Sequence, residues 1–260
     1  TGAARGIGAA IAEALLQNGC KVCIADIRED EGNNTCKTLQ AKYNRDSVHF
    51  RATDVTVKDS FEGIFEDVTK LWGPVTIFAH NAGIAREDDF ERTININLVS
   101  YVRAGHLALQ YMGKDKGGKG GNVVFTASIL GLIPCVPIPA YTASKFGAVS
   151  LVKSFSTTTY ESSGVRFAAL CPGITDTVLV RPLLQQQASG EPHLLNSLDV
   201  VKGMEGVSTP QLIAGGAVQL LKDNRNGAVL IAHCSLDGHY RYVNDSHFDG
   251  EAILAATTPA

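Results

Sequence analysis

At 260 residues and a net charge of −3, the chain suits one large α/β domain and offers no basic stripe for nucleic acid or an anionic membrane surface. Hydrophobic residues make up 45% and charged residues 19%, enough for a sizeable core, yet no run of about 18 apolar residues could span a bilayer. The six cysteines and seven histidines fall into no metal-ligand spacing, so no metal is expected, and "CKVC" reads as two small apolar side chains entering a strand of a reduced, cytoplasmic chain.

The first element is "TGAARGIGAAIAEALLQNG", in which Gly2, Gly6 and Gly8 run straight into an Ala/Ile/Leu helix. Glycines there let the backbone turn tightly and approach a pyrophosphate held on the N–H groups of the helix start. The strand "KVCIAD" follows and ends on Asp26, where a carboxylate can bond the adenosine ribose hydroxyls. Its charge repels a 2′-phosphate, which favours NAD over NADP. Arg5 and Arg28 pull the other way, but the carboxylate competes for the spot that the phosphate needs.

Helix-length and strand-length segments then alternate: "EDEGNNTCKTLQAKY" (helix), "SVHFRATD" (strand), "DSFEGIFEDVTKLWG" (helix) and "VTIFAHNAG" (strand into loop). A long helix from about Asp89 to Met112, the strand "GNVVFTAS" and a second long helix from about Tyr141 to Ser162 come next. The strand "VRFAALCPG", a long loop, the helix "PQLIAGGAVQLLKD" and the last strand "GAVLIA" complete the series. Such alternation predicts a Rossmann-like, doubly wound parallel sheet with helices on both faces. Ligands bind such sheets outside the carboxyl ends of the strands, which makes "TDV", "HNAG", "TAS" and "CPGITDT" candidate site loops.

"YTASK" sets Tyr141 and Lys145 on one helix face. An adjacent ammonium favours a phenolate, so the pair can serve as a general base towards an alcohol near neutral pH. Ser128, at the end of the "VVFTAS" strand, can donate to and accept from the substrate oxygen. A tyrosine–lysine pair on an exposed helix is also a common surface feature; its conjunction with a strand-end serine and a phosphate loop argues for chemistry.

With these motifs in hand, the chain resembles the short-chain dehydrogenase/reductase family over nearly its whole length. "TGAARGIG" is similar to the family's T-G-x-x-x-G-x-G, "HNAG" to its N-N-A-G, "YTASK" to its Y-x-x-x-K and "CPGITDT" to its P-G-x-x-x-T. "INLVS", "QYMGKDKGGKGGNVV" and "YTASKFGAVSLVKSF" look particularly like its 15-hydroxyprostaglandin dehydrogenase branch and that branch's insect relatives. The resemblance implies that Tyr141 is the acid/base, that Lys145 also holds the nicotinamide ribose, and that Ser128 steadies the reacting oxygen. It also implies that Asn97 anchors a proton-relaying water. Ile7 would lie with the phosphate loop, Asp54 and Val55 would flank the adenine, and Asn81 would line the cleft. Pro172, Ile174 and Thr177 would close over the nicotinamide end. His80 departs from the motif's first asparagine, and Thr76 stands where an aspartate is usual; adjusted hydrogen bonding without loss of activity is expected.

In this family the phosphate loop follows a central first strand, which would lie upstream of Thr1. Residues 1–260 alone are therefore expected to be poorly stable and to bind cofactor weakly. The chain reads as one domain whose apolar stretch at about 174–208 forms a lid over the site, or, equally, packs as two short helices. The family further implies a homodimer through the two long helices. The expected activity is hydride transfer from a secondary or primary alcohol of a lipophilic substrate to NAD: a prostaglandin-like hydroxy fatty acid first, then farnesol, retinoid or steroid alcohols. A carbonyl reductase and a non-catalytic NAD sensor are the alternatives.

Overall fold

The computed structural model describes residues 1–181 and 206–244. Helix α1 (Gly6–Gln17) leads to β1 (Val22–Asp26), α2 (Glu29–Lys42), β2 (Val48–Ala52), α3 (Lys58–Trp72) and β3 (Ile77–His80). Then come α4 (Phe90–Ile94), a π-helical turn (Asn95–Val99), α5 (Ser100–Met112), β4 (Gly121–Thr126), α6 (Pro139–Thr158), α7 (Tyr160–Ser163) and β5 (Val165–Pro172). The series closes with α8 (Pro210–Asp223), β6 (Val229–Ala232) and β7 (Tyr240–Tyr242).

Local chemistry accounts for several of these boundaries. Glu29, Asp30 and Glu31 fill the first turn of α2 and Lys42 its last, matching the helix dipole at both ends. Thr209 caps α8 by accepting from Leu212 N–H, Pro210 occupies the first helical position, and Asn224 ends the helix with φ 54°. The long helix expected from about Asp89 to Met112 is continuous over Phe90–Met112 with a π-helical stretch at Asn95–Val99, and the one expected to reach Ser162 stops at Thr158 before the short α7.

Strands β3, β4, β5 and β6 are parallel neighbours in that order, with β7 antiparallel at the edge; β1 and β2 form a separate parallel pair. The strands are largely buried on both faces, as a helix-covered parallel sheet requires. One core, under α3, α5 and α6, is built on Phe61, Phe65, Tyr101, Phe125 and Phe167. The other, under α1 and α8, uses Ile11, Leu15, Ile24, Leu170, Ile213 and Leu230. The tail strand β7 belongs to this second layer: Tyr240 donates its hydroxyl to Leu212 C=O at 2.8 Å and Tyr242 bonds Asp223.

Among the described residues no strand lies between β1 and β3. Only the first residues bridge them: the Thr1 amino group donates to Ala79 C=O at 2.8 Å and Ala3 N–H donates to Ala25 C=O at 3.4 Å. Beside that bridge a cavity of about 280 Å³ is walled by Leu15, Val22, Ile64, Phe65, Val75 and Ile77. Both strand edges and the apolar walls match the needs of one more extended segment. Fusing about five alternating apolar residues ahead of Thr1 is therefore expected to raise the melting temperature by ~5 °C or more, equivalent to about 2 kcal/mol for a domain of this size. A polar segment of equal length should leave it unchanged; equal melting curves for both would show that the slot does not accept a strand.

Candidate active site

The glycine loop is shaped by close backbone approach. Gly2 and Gly6 have φ of 62° and 60°, a region that favours glycine. A Cβ on Gly8 would lie 2.2 Å from Gly2 C=O, and one on Gly2 would lie 2.7 Å from Ala82 Cα. Only glycine fits at either place. The loop is tied to the segment after β3 by Asn81, whose side-chain amide donates to Gly2 C=O at 3.1 Å, and by Thr1 Oγ1, which accepts from Asn81 and Ala82 N–H. Helix α1 starts without a side-chain cap or a first-turn carboxylate, and Gly2, Arg5 and Ile7 around its positive end line the larger cavity.

That cavity, of about 590 Å³, runs along the carboxyl ends of the strands. Gly2, Ile7, Asp26, Asp54, Val55 and Asn81 line it together with Ser128, Tyr141, Lys145, Pro172, Ile174 and Thr177, and Thr177 lies against Gly6 of the glycine loop. Gly6 and Gly8 shape the floor without lining it. Asn97 is fully buried behind the wall. The Asp26 carboxylate is buried and fixed by two backbone donors, Ala4 N–H and Arg28 N–H, each at 3.0 Å. Arg5 and Arg28, the two cations beside it, both pair with Glu31, at 3.1 and 3.4 Å. Asp54 closes an Asx turn onto Thr56 N–H and hydroxyl.

Ser128 follows β4 and accepts from Leu130 N–H at 3.1 Å. Ser128 and the Tyr141 phenol interact across the cavity wall, and the serine favours the phenolate. Tyr141 and Lys145 lie one turn apart on α6, as their spacing predicts. Lys145 Nζ donates to Thr126 C=O at 2.9 Å and sits 5.6 Å from the Tyr141 ring centroid and 5.4 Å from that of Tyr101. Burial pushes the Tyr141 phenol up to about 12, with Ser128 pulling the other way, and burial brings the Lys145 ammonium down to about 8. Lys145 is not among the groups that move the phenol, so the lowering expected from the lysine spacing does not arise here and loss of water around the hydroxyl prevails.

A model of the short chain dehydrogenase family matches residues 1–188. The chain belongs to that family. The 15-hydroxyprostaglandin dehydrogenase (NAD+) of Macaca fascicularis is 34% identical over 257 residues, spanning 97% of this chain and 96% of that protein. Alcohol dehydrogenase 1 of Ceratitis capitata is 38% identical over 201 residues, spanning 76% of each. The crystal structure of sorbitol-6-phosphate 2-dehydrogenase from Erwinia amylovora superposes with a TM-score of 0.78 at 22% identity, covering 91% of this chain and 98% of that one; it shares the fold.

As a member of this oxidoreductase family the chain is suited to a nicotinamide dinucleotide. The glycine cradle that a Cβ would fill, the uncapped start of α1 and the fixed Asp26 carboxylate fit such a group. Asn97 accepts from Ile84 N–H at 2.9 Å and donates to Ile84 C=O at 2.7 Å and to Ser144 at 3.2 Å, from within the π turn. Such turns are frequent at functional sites. A Cβ on Gly83 would lie 3.3 Å from Asn97 Oδ1 and 3.5 Å from Lys145 Nζ, so Asn97 and Lys145 approach the same backbone.

Sequence reasoning missed three supports: Tyr101, whose ring faces Lys145; Thr126, whose carbonyl holds it; and Glu87, which bonds the start of α6. Only Glu87 had a signal, since α6 begins with a proline and no capping side chain. Of the proposed lid, Ile174, Thr177, Val178, Leu179 and Val180 line the cavity; residues 182–205 lie outside the described residues, as do the tail residues from 245 onward. The apolar stretch before Tyr141 contributes Ile138, while Val136 is 91% exposed and turned away.

His80 is absorbed into the core. Its ring stacks on Phe61 at 5.1 Å, meets Tyr101 edge-on at 4.2 Å, and bonds Thr1 Oγ1 and Ser100 Oγ, both at 2.8 Å. Burial holds its pKa well below the usual value, with the nearby Thr1 amino group and Lys145 adding to the shift. A neutral folded imidazole that protonates only on unfolding contributes stability present above about pH 6.5 and lost as pH falls, at up to ~1.4 kcal/mol per pH unit. Denaturant melts between pH 7.5 and 5 should show that slope in the wild type and a shallower one in His80→Asn. Parallel slopes would place the imidazole's proton on the folded protein.

Proposed function

We propose that this chain is an NAD-dependent alcohol dehydrogenase that oxidises a secondary or primary hydroxyl on a lipophilic molecule. The observation that carries the reading is the Tyr141 phenol, with Ser128 beside it and the buried Lys145 ammonium 5.6 Å from its ring, in the same cavity as Asp26 and Asn81.

In this reading the Tyr141 phenolate takes the proton of the substrate hydroxyl, and the Ser128 hydroxyl orients that oxygen. Lys145 favours the phenolate by charge and holds the ribose hydroxyls near the reacting end. Asn97, tied to the Ile84 backbone and to Ser144, keeps the loop fixed and offers the water that passes the proton outward from Lys145. Asp26 would accept from the adenosine ribose, Asp54 and Val55 would lie beside the adenine, and Pro172, Ile174 and Thr177 would shield the nicotinamide end. Bound NAD supplies the hydride acceptor. Everything else is position and electrostatics, with water kept away from the reacting oxygen.

NAD over NADP follows from charge. Asp26 presents a fixed carboxylate where a 2′-phosphate would have to sit, and Glu31 already engages the two arginines that could neutralise it. The apolar lining from Ile129, Leu130, Ile138, Val178 and Leu179 supports a lipophilic alcohol, and the prostaglandin dehydrogenases among the relatives point to a hydroxy fatty acid. Exposed Phe90, Val99, Val102 and Phe146 on the surfaces of α4, the π turn, α5 and α6 suit a homodimer through those helices, and six free cysteines suit the reducing cytoplasm.

The test is NADH formation, followed by absorbance, with a panel of lipid alcohols. Tyr141→Phe is expected to lower kcat about 10²–10⁴-fold with binding of NAD retained. Because the phenol sits high, near 12, before substrate binds, kcat/KM should rise from pH 7 towards pH 9. Turnover that survives Tyr141→Phe would remove the assigned base, and NAD binding without turnover on any alcohol would favour a sensor. In a second assay, Asp26→Asn should raise the NADP/NAD ratio of kcat/KM by about 10-fold or more, since one buried charge facing the phosphate is removed. An unchanged ratio would take the choice of cofactor away from Asp26.

A further inference from the structure

We infer that Glu87 is a positioning residue: it clamps the first turn of the catalytic helix α6 to the loop on the cofactor side of the cavity and so sets where Tyr141 stands. The inference rests on Tyr141 being the base.

A helix leaves its first N–H groups without partners inside the helix. In α6 the first position is Pro139, which has no N–H, and the preceding residue, Ile138, has no side chain able to accept. The first bond of the usual kind runs from Thr142 N–H to Ile138 C=O at 2.9 Å. That leaves the N–H groups of Ala140 and Tyr141. Both are taken by one carboxylate: Ala140 donates to Glu87 Oε2 at 3.1 Å and Tyr141 to Glu87 Oε1 at 2.9 Å. The partner lies 54 residues earlier in the chain from Tyr141, so this cap is made by tertiary structure.

The loop that carries Glu87 is itself anchored. Asn97 holds Ile84 from both sides of its peptide, and Thr93 holds Arg86 by accepting from its N–H at 3.2 Å and donating to its C=O at 2.8 Å. Asn81, Gly83, Ala85 and Arg86 of this loop line the cavity. Glu87 therefore joins a rigid wall of the proposed cofactor site directly to the backbone of the residue that is to move the proton. Displacement of a reacting group by about 1 Å can cost 10²-fold in rate, which makes such a joint consequential.

The clamp is also a charge. A carboxylate at the positive end of a 20-residue helix offsets the helix dipole beside Tyr141. The other groups facing the phenol are Lys145 on α6, Cys171 on β5 and the Tyr101 hydroxyl of α5, while Arg86 lines the same cavity. Without Glu87 the uncompensated dipole favours the phenolate, so the acid limb of the pH profile should move to lower pH.

Three variants of the full chain with NAD and the best alcohol of the panel separate these effects. Glu87→Ala loses both bonds and the charge: kcat should fall about 10- to 100-fold, KM for NAD should change less than about 3-fold, and the acid limb should shift down. Glu87→Gln keeps one acceptor: a smaller loss in kcat with a similar shift is expected. Glu87→Asp keeps the charge on a shorter arm: kcat should fall while the acid limb stays in place. A lowered melting temperature with kcat per folded site and the acid limb unchanged in all three would overturn the inference and leave Glu87 a structural cap. Should Tyr141→Phe retain full turnover, the reading beneath fails instead, and the two failures are told apart by that variant alone.

Discussion

A buried ammonium holds this site together. Lys145 is 4% exposed and donates to a backbone carbonyl, that of Thr126 at the end of β4. Two tyrosine rings face it. A cation in such a place is costly unless its surroundings answer it, and here they do so with a carbonyl dipole and aromatic faces in place of a carboxylate. The result is a charge that is neither locked into an ion pair nor free in water. It stands ready to respond to whatever forms on the neighbouring phenol. The strand end, the π turn and the Ile84–Asn97 bonds all converge on keeping that cation where it is.

The contrast between Lys145 and Tyr141 explains how the site waits for its ligands. Burial acts on both, lowering the ammonium and raising the phenol, so each group is pushed towards its neutral form. In the proposed reading, filling the cavity with a substrate hydroxyl and a charged cofactor ring would change what surrounds both groups at once. Chemistry that depends on the complete assembly guards against proton loss to bulk water when only part of it is present. Glu31 works in the same manner on a smaller scale: by engaging Arg5 and Arg28 it leaves the Asp26 carboxylate to define what can lie beside it.

Much of this was legible in the chain. The alternation of short apolar segments with amphipathic ones gave the parallel sheet because strands buried on both faces must be apolar throughout. The glycine loop was readable because close approach demands the absence of a Cβ, and the i, i+4 spacing of Tyr141 and Lys145 because one helical turn brings them onto one face. The π turn at Asn95–Val99 and the edge strand β7 were not legible. One depends on a side chain drawn inward to bond a loop, the other on three residues that pair only because β6 presents an edge.

What the sequence determined by itself is the kind of machine: local spacing dictates which residues share a face, a turn or a strand end, and those short-range relations suffice for the fold class and the tyrosine–lysine–serine set. Tertiary structure alone decided the state of those groups. The phenol is raised where spacing argued for lowering, since burial is the sum of everything packed around a group. Likewise Glu87 caps α6, Glu31 engages two arginines and His80 joins an aromatic core, each across long stretches of chain. Contacts between residues far apart along the chain exist only once the layers have closed, and no local pattern records them.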